Sequence, residues 1–307
     1  MQTSALALDP NPTLTTMDVE EPQKKYEYHV SANDKSHAAR LIQMVGRAKR
    51  VLEIGCASGS QTRAMVEDMG CSVVGVEIDP VAAERARPYC SKLVVGNLET
   101  IDLAGTVGED KFDVVMFADV LEHLRDPAAA LQKCGDLLKQ DGCIVASIPN
   151  ITHAAIAFEL AHGRFTYKDK GLLDDTHVRF FSRSSILELF DSVGFMVEFI
   201  GRSLLDPWDT EFETRPKTDD ERVLIRYFLD HNPEARTYQF LIRAVRMDSD
   251  TQIRNAAVQM RTQIDDLEQQ LHSKTRELNR VQSELDWLQK NPLRALIASL
   301  RRVVTRK

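Results

Sequence analysis

Residues 51–60, Val-Leu-Glu-Ile-Gly-Cys-Ala-Ser-Gly-Ser, constrain the fold of this chain more than any other stretch. An apolar strand that ends in an acid and a glycine-rich turn is how a parallel α/β sheet brings its backbone against a nucleotide-like ligand. Gly55 and Gly59 can take backbone angles closed to other residues, and their missing side chains let main-chain N–H groups approach the ligand. A dinucleotide fingerprint would read G-x-G-x-x-G; here the pattern is G-C-A-S-G with Ala57 in the middle, which weakens a nicotinamide reading. The competing reading is a strand-to-helix turn that holds no ligand.

The flanking segments keep alternating. Helix is expected over 38–45 and 61–69 with a buried strand at 50–54, and strand-like runs follow at 72–76, 92–95, 112–117 and 143–147. Pro127 opens a helix through residue 138, and Asp141-Gly142 supplies a turn into the fifth strand. Residues 183–193 read as helix, and 194–200 and 238–245 as two more strands. Between these strands, 203–236 is an insertion with a helix near 219–229. With 307 residues, 43% of them hydrophobic, the chain can bury a full core at 26–247 and still carry appendages. Residues 1–25, with Pro10, Pro12 and Pro22, read as a disordered leader.

A net charge of -7 argues against nucleic acid as the main partner, because that polyanion needs a basic face. Cys56, Cys71, Cys90, Cys134 and Cys143 are scattered without C-x-x-C pairs, so neither a zinc site nor a disulfide framework is expected, and a reducing cytoplasm is. No apolar stretch reaches the roughly 18 residues needed to cross a bilayer.

The acid and turn at 53–59 resemble the first motif of class I S-adenosylmethionine-dependent methyltransferases, an acid followed by G-x-G-x-G, with Ala57 replacing the central glycine. The resemblance implies a Rossmann-like seven-stranded methyltransferase sheet whose last strand enters antiparallel between its neighbours. It implies S-adenosylmethionine as cofactor, surrounded by Gly55, Cys56, Ala57, Ser58 and Gly59, with Glu53 orienting the loop and reaching the methionine portion. Glu77, beside Ile78, would accept both ribose hydroxyls. Asn97 stands where the family usually has Asp against the adenine amino group, and the N–H of Leu98 would meet a ring nitrogen. Asp119 would lie beside the reactive methyl. Asp119, Glu122 and His123 also match a set by which quinone-biosynthesis O-methyltransferases hold a divalent cation, suited to Mg or Mn. The favoured reading of this segment needs no metal.

Methyl transfer to a hydroxyl needs alignment and removal of a proton. The runs at 149–153, 163–167, 171–174 and 177–181 are similar to P-N-x-x-H, G-R-F-x-Y, G-x-L-D and H-x-R-F-F signatures of bacterial methyltransferases of surface-polysaccharide and glycosyl-transfer systems. That resemblance spans about residues 26–202. The candidate general base is His153 or His177, with Asp174 orienting it and Arg164 or Arg179 binding an anionic group on the substrate; Phe165, Tyr167, Phe180 and Phe181 wall the acceptor or pack in the core. The favoured acceptor is a sugar hydroxyl of a glycan or its lipid-linked precursor. A phenol- or quinone-type small molecule is the second, and a non-catalytic scaffold of glycan assembly the third.

Beyond residue 247, Ala257, Ile264, Leu271, Leu278 and Leu285 repeat every seven residues with Met260, Leu267, Lys274, Val281 and Leu288 between them. This spacing predicts an α-helical coiled coil over 248–290 and a homo-oligomer. In 291–307, Leu293, Leu296, Ile297, Leu300 and Val304 form a helical stripe flanked by Arg and Lys, the composition of a peripheral contact with the inner face of the membrane.

Overall fold

The computed structural model describes residues 29–212 and 215–247, together with Thr275, Leu278, Gln282 and Ser283, which are helical. The chain divides into two units, Met1–Arg246 and Met247–Lys307. The expected leader at 1–25, the coiled coil at 248–290 apart from those four residues, and the basic helix at 291–307 lie outside the described residues.

Helix α1 (His37–Val45) is capped by the Ser36 hydroxyl, which accepts from the Ala39 N–H. Next come β1 (Arg50–Ile54), α2 (Ser60–Glu67), β2 (Ser72–Glu77), α3 (Pro80–Ala86) and β3 (Lys92–Val95). The second half holds α4 (Leu103–Val107), β4 (Phe112–Ala118), α5 (Pro127–Gly135), β5 (Leu138–Pro149), α6 (Ala154–Ala161), α7 (Arg183–Ser192), β6 (Phe195–Leu204), α8 (Asp219–His231) and β7 (Thr237–Arg246). The seven strands lie in the order β3-β2-β1-β4-β5-β7-β6. The first five are parallel and β7 runs antiparallel to both β5 and β6, as the resemblance implied. Strand order reverses between β1 and β4, where an open α/β sheet has its ligand crevice.

Successive side chains of a strand point to opposite faces, and both faces here are covered, so the strands read as nearly unbroken apolar runs. Val51, Val73, Val114 and Val145 pack with Leu41 and Ile42 of α1 and Met65 of α2. Their neighbours Leu52, Val74, Val115 and Ile144 pack on the other face with Leu131 of α5 and Ile186 and Phe190 of α7. The inserted α8 sits on α6, Ile225 against Phe158, and starts with a Thr218–Glu221 capping box.

Two expectations need correction. Asp141-Gly142 forms no turn: β5 runs unbroken from Leu138, and a register shift against β4 between Phe112 and Val114 absorbs the extra residues. The helix expected to reach 138 therefore stops at Gly135, because Leu138 is already paired with Phe112. Among the described residues, no helix is long and apolar enough to cross a membrane.

Candidate functional site

The turn after β1 has three left-handed residues, Gly55 (φ 70°), Ala57 (φ 46°) and Gly59 (φ 82°). Ala57 thus occupies a conformation that favours glycine, at a cost of roughly 1–2 kcal/mol, which explains why the family motif has glycine there. A Cβ on Gly55 would come within 2.7 Å of Val120 Cγ2, so the turn lies flush against the segment after β4. Glu77 holds it from the other side. Its Oε2 accepts from the Ala57 N–H at 2.7 Å, and its Oε1 from the Ile78 and Asp79 N–H groups at 2.8 and 2.9 Å. A carboxylate has about four lone-pair sites, so these bonds leave capacity for a ribose hydroxyl. Ile78 leaves 63% of its surface open beside Glu77, an apolar face on which a purine can lie. Asn97 Oδ1 accepts from the Glu99 N–H at 2.8 Å and keeps its second lone pair, while Leu98 is buried.

Glu53 is buried and accepts from Thr62 Oγ1 at 2.5 Å, tying β1 to the first turn of α2 and so orienting the loop. Burial pushes its carboxyl up to about 8. The folded chain therefore keeps a proton that the unfolded chain loses above about pH 4.5; the stability this group contributes is complete below that pH and is lost as pH rises through about 8. Glu53→Gln is expected to flatten the decline of the urea midpoint between these pH values, and an unaltered slope would place the titration elsewhere.

At the end of β4, Asp119 also has positive φ, 53°. Its N–H meets Ser147 Oγ at 3.0 Å, and its Oδ1 accepts from Ser147 Oγ at 3.0 Å and Gln239 Nε2 at 2.6 Å. Burial raises its carboxyl, opposed by His37, Ser147 and His123. One turn on, Glu122 is 1% exposed, and neither carboxylate oxygen has a hydrogen-bond partner. Burial, with the charges of Asp119 and Asp174, holds it well above the ordinary carboxylate range. His177 Nε2 is 4.0 Å from Glu122 Oε1, and the His123 and His177 rings meet edge to face at 4.8 Å. Backbone bonds fix this arrangement: the Glu122 carbonyl accepts from the Val178 and Arg179 N–H groups at 2.9 and 3.0 Å.

Glu122, His123 and His177 each offer a ligand atom, all within 4.8 Å of one another. The expected set of Asp119, Glu122 and His123 is corrected accordingly: Asp119 is committed to Ser147 and Gln239, and His177 takes its place. Asp174 accepts from Thr176 N and Oγ1 at 3.0 and 2.6 Å, and Thr176 Oγ1 meets His123 Nδ1 at 3.1 Å, so Asp174 orients His123 through Thr176. A row of rings leads from the surface to this group. Phe165 and Tyr167, 44% and 50% exposed, meet edge to face at 5.5 Å; Phe165 meets Phe180 at 6.1 Å, and Phe180 meets His177 at 6.3 Å. Phe181 instead joins the core.

The structure gives His153 a different task from the base expected of it. It is fully buried, its Nε2 bonds the Leu205 carbonyl at 2.9 Å, and its Nδ1 accepts from the Ala155 N–H as the cap of α6. Burial lowers its pKa, which keeps the ring neutral. His153→Ala should cost several kcal/mol of stability, about 1–2 kcal/mol for the lost cap and about 1–3 kcal/mol for the Leu205 carbonyl left unpaired, and leave turnover of the folded protein unchanged; a folded but inactive variant would return it to the base role. Arg164 forms a two-pronged pair with Glu159 at 2.7 and 2.8 Å, and Arg179 bonds the Arg125 carbonyl, so each expected anion binder already has a partner within the chain. Ser147, Gln239, Thr176 and His37 were not anticipated. For Ser147 and Gln239 the available signal was a polar residue interrupting the apolar runs of β5 and β7.

A family described as a methyltransferase domain matches residues 26–198. The chain is 25% identical over 181 residues to a ubiquinone biosynthesis O-methyltransferase of Xanthomonas campestris, covering 55% of this chain and 72% of that one. A protein of the same description from Actinobacillus pleuropneumoniae is 31% identical over 131 residues, 39% and 54% of the two chains. A solved SAM dependent methyltransferase from Archaeoglobus fulgidus is 20% identical, with TM-score 0.46, over 67% of this chain and 91% of that one.

Proposed function

This chain belongs to the methyltransferase-domain family, and from that premise we propose that it is an S-adenosylmethionine-dependent O-methyltransferase acting on a ring hydroxyl presented to Glu122, His123 and His177. The observation that carries the reading is the buried carboxylate of Glu122, without a hydrogen-bond partner and next to two imidazoles. Leaving such a group unpaired costs several kcal/mol, an expense that a proton-accepting role accounts for.

The cofactor fits the turn after β1. Gly55 has no room for a Cβ, Glu77 retains acceptor capacity, and Ile78 offers an apolar face. When bound, it supplies an electrophilic methyl on a positively charged sulfur. The protein then aligns the acceptor oxygen and removes its proton. Glu122 takes that proton onto its carboxylate. A carboxyl held well above its ordinary range is a stronger base for the task, and its affinity lies closer to that of a phenol. His177 and His123 border the oxygen and fix its approach.

The row of rings from Phe165 to His177 suits a flat aromatic acceptor, consistent with the small-molecule O-methyltransferase named among the relatives. The same exposed rings, with Val178 52% exposed beside them, can stack on the C–H face of a pyranose, which supports a sugar hydroxyl as second reading. One carboxylate and two imidazoles also suit a divalent cation, and Glu122, His123 and His177 would hold it and let it acidify the acceptor hydroxyl.

Purified protein supplied with methyl-labelled cofactor and separate phenolic, polysaccharide and lipid-linked pools is expected to label the phenolic pool, at a rate unaffected by EDTA. Label confined to sugar pools selects the second acceptor. Loss with EDTA, restored by Mn, selects the metal. No transfer to any pool removes the proposal.

A further inference from the structure

Gly75 lies in the middle of β2, where glycine is a poor strand residue and marks a close approach. A Cβ there would stand 2.9 Å from Cys56 Sγ and 2.9 Å from Cys90 Sγ. Cys56 comes from the turn after β1 and Cys90 from the segment between α3 and β3, so thiols far apart in sequence meet over one bare backbone position. Cys71, Cys134 and Cys143 are buried within the core.

We propose that Cys56 and Cys90 are a peroxide-responsive dithiol, and that their oxidation to a disulfide disables the cofactor turn. Cys90 is half-buried and Cys56 buried, so an oxidant reaches Cys90 first. The Cys56 thiol donates a hydrogen bond to the Cys90 sulfur; with the Gly75 N–H and the Arg87 charge, this pulls the Cys90 thiol below its usual range against burial, which favours the reactive thiolate. The Cys90 thiolate attacks the peroxide O–O bond, forming a sulfenic acid and releasing hydroxide, which takes up the proton Cys90 had lost and becomes water. The Cys56 sulfur then displaces the sulfenic hydroxyl, which leaves as a second water with the Cys56 proton. Two thiols are oxidised and one peroxide is reduced.

A disulfide bond is about 2.05 Å long, so closing it draws Cys56 toward β3. The Cys56 carbonyl accepts from the Gly59 N–H at 2.9 Å, and the next N–H, that of Ala57, is held by Glu77. Both contacts belong to the turn that would grip the cofactor.

The consequence for binding rests on the assignment of this turn to S-adenosylmethionine, so the test reads the bond and the binding separately. Full-length protein is treated with hydrogen peroxide and digested without reductant. The expected result is a cross-linked peptide pair containing Cys56 and Cys90. Calorimetry with S-adenosylhomocysteine should show binding by the reduced protein, at least tenfold weaker binding after oxidation, and recovery with dithiothreitol. Cys90→Ser should bind normally and lose the sensitivity. Absence of the cross-link, unchanged affinity of the cross-linked protein, or equal sensitivity of Cys90→Ser overturns the proposal. Failure of the reduced wild-type protein to bind at all instead strikes the cofactor assignment.

Discussion

Glu77→Ala is expected to abolish cofactor binding, measured with S-adenosylhomocysteine as a weakening of about 100-fold or more. The variant strips three N–H groups, of Ala57, Ile78 and Asp79, of their acceptor at once. A bound ribose loses a charged acceptor, worth about 1.5–3 kcal/mol, and the turn loses its anchor at Ala57; together these reach the about 2.8 kcal/mol that corresponds to 100-fold. The denaturation midpoint should fall as well, because two of these bonds start α3 and the third pins the left-handed Ala57. Glu77→Gln keeps one carbonyl oxygen and should lie between alanine and wild type. A folded alanine variant with wild-type affinity would remove the ribose from this end of β2.

The second large effect has opposite signs in activity and stability. Glu122→Gln should lower turnover by about 100-fold or more, the usual contribution of a positioned base, and leave S-adenosylhomocysteine affinity unchanged. It should also raise stability at neutral pH. A carboxyl raised above its unfolded value contributes stability that is complete below about pH 4.5 and lost as the pH rises through the folded value, and glutamine has no such titration. The wild-type pH–rate profile should show an acid limb above the ordinary carboxylate range, absent from the variant. A Glu122→Gln enzyme that keeps its rate would end the proton-acceptor assignment.

The sheet was legible because its strands are buried on both faces. Runs such as residues 112–117 contain too little polarity to be anything but interior, and Gly55, Gly59 and Glu77 announce the ligand end. The candidate cofactor side was legible for a different reason: each of its pieces, the turn at 55–59, Glu77 and Asn97, directly follows or closes a strand. The acceptor side was only partly so. His153 and His177 look equivalent in sequence, each in a polar run after β5, yet one caps a helix and the other faces Glu122. Only the fold of 150–182 over the sheet separates them. The tie from Asp119 to Gln239 spans 120 residues, and no spacing rule reaches that far. Asp141-Gly142 misled for a different reason: turn chemistry was outcompeted by the pairing of Leu138 with Phe112.

The strand order also carries a temporal consequence. β7 lies between β5 and β6 although it is the last in chain order of the described strands, and it delivers Gln239 to Asp119. The ribosome must pass residue 246 before a strand can fill that slot, so the turn proposed to grip a nucleoside emerges well before the proposed reaction centre is complete. The contact between Gln239 and Asp119 therefore closes only after β1 to β6 have all been made.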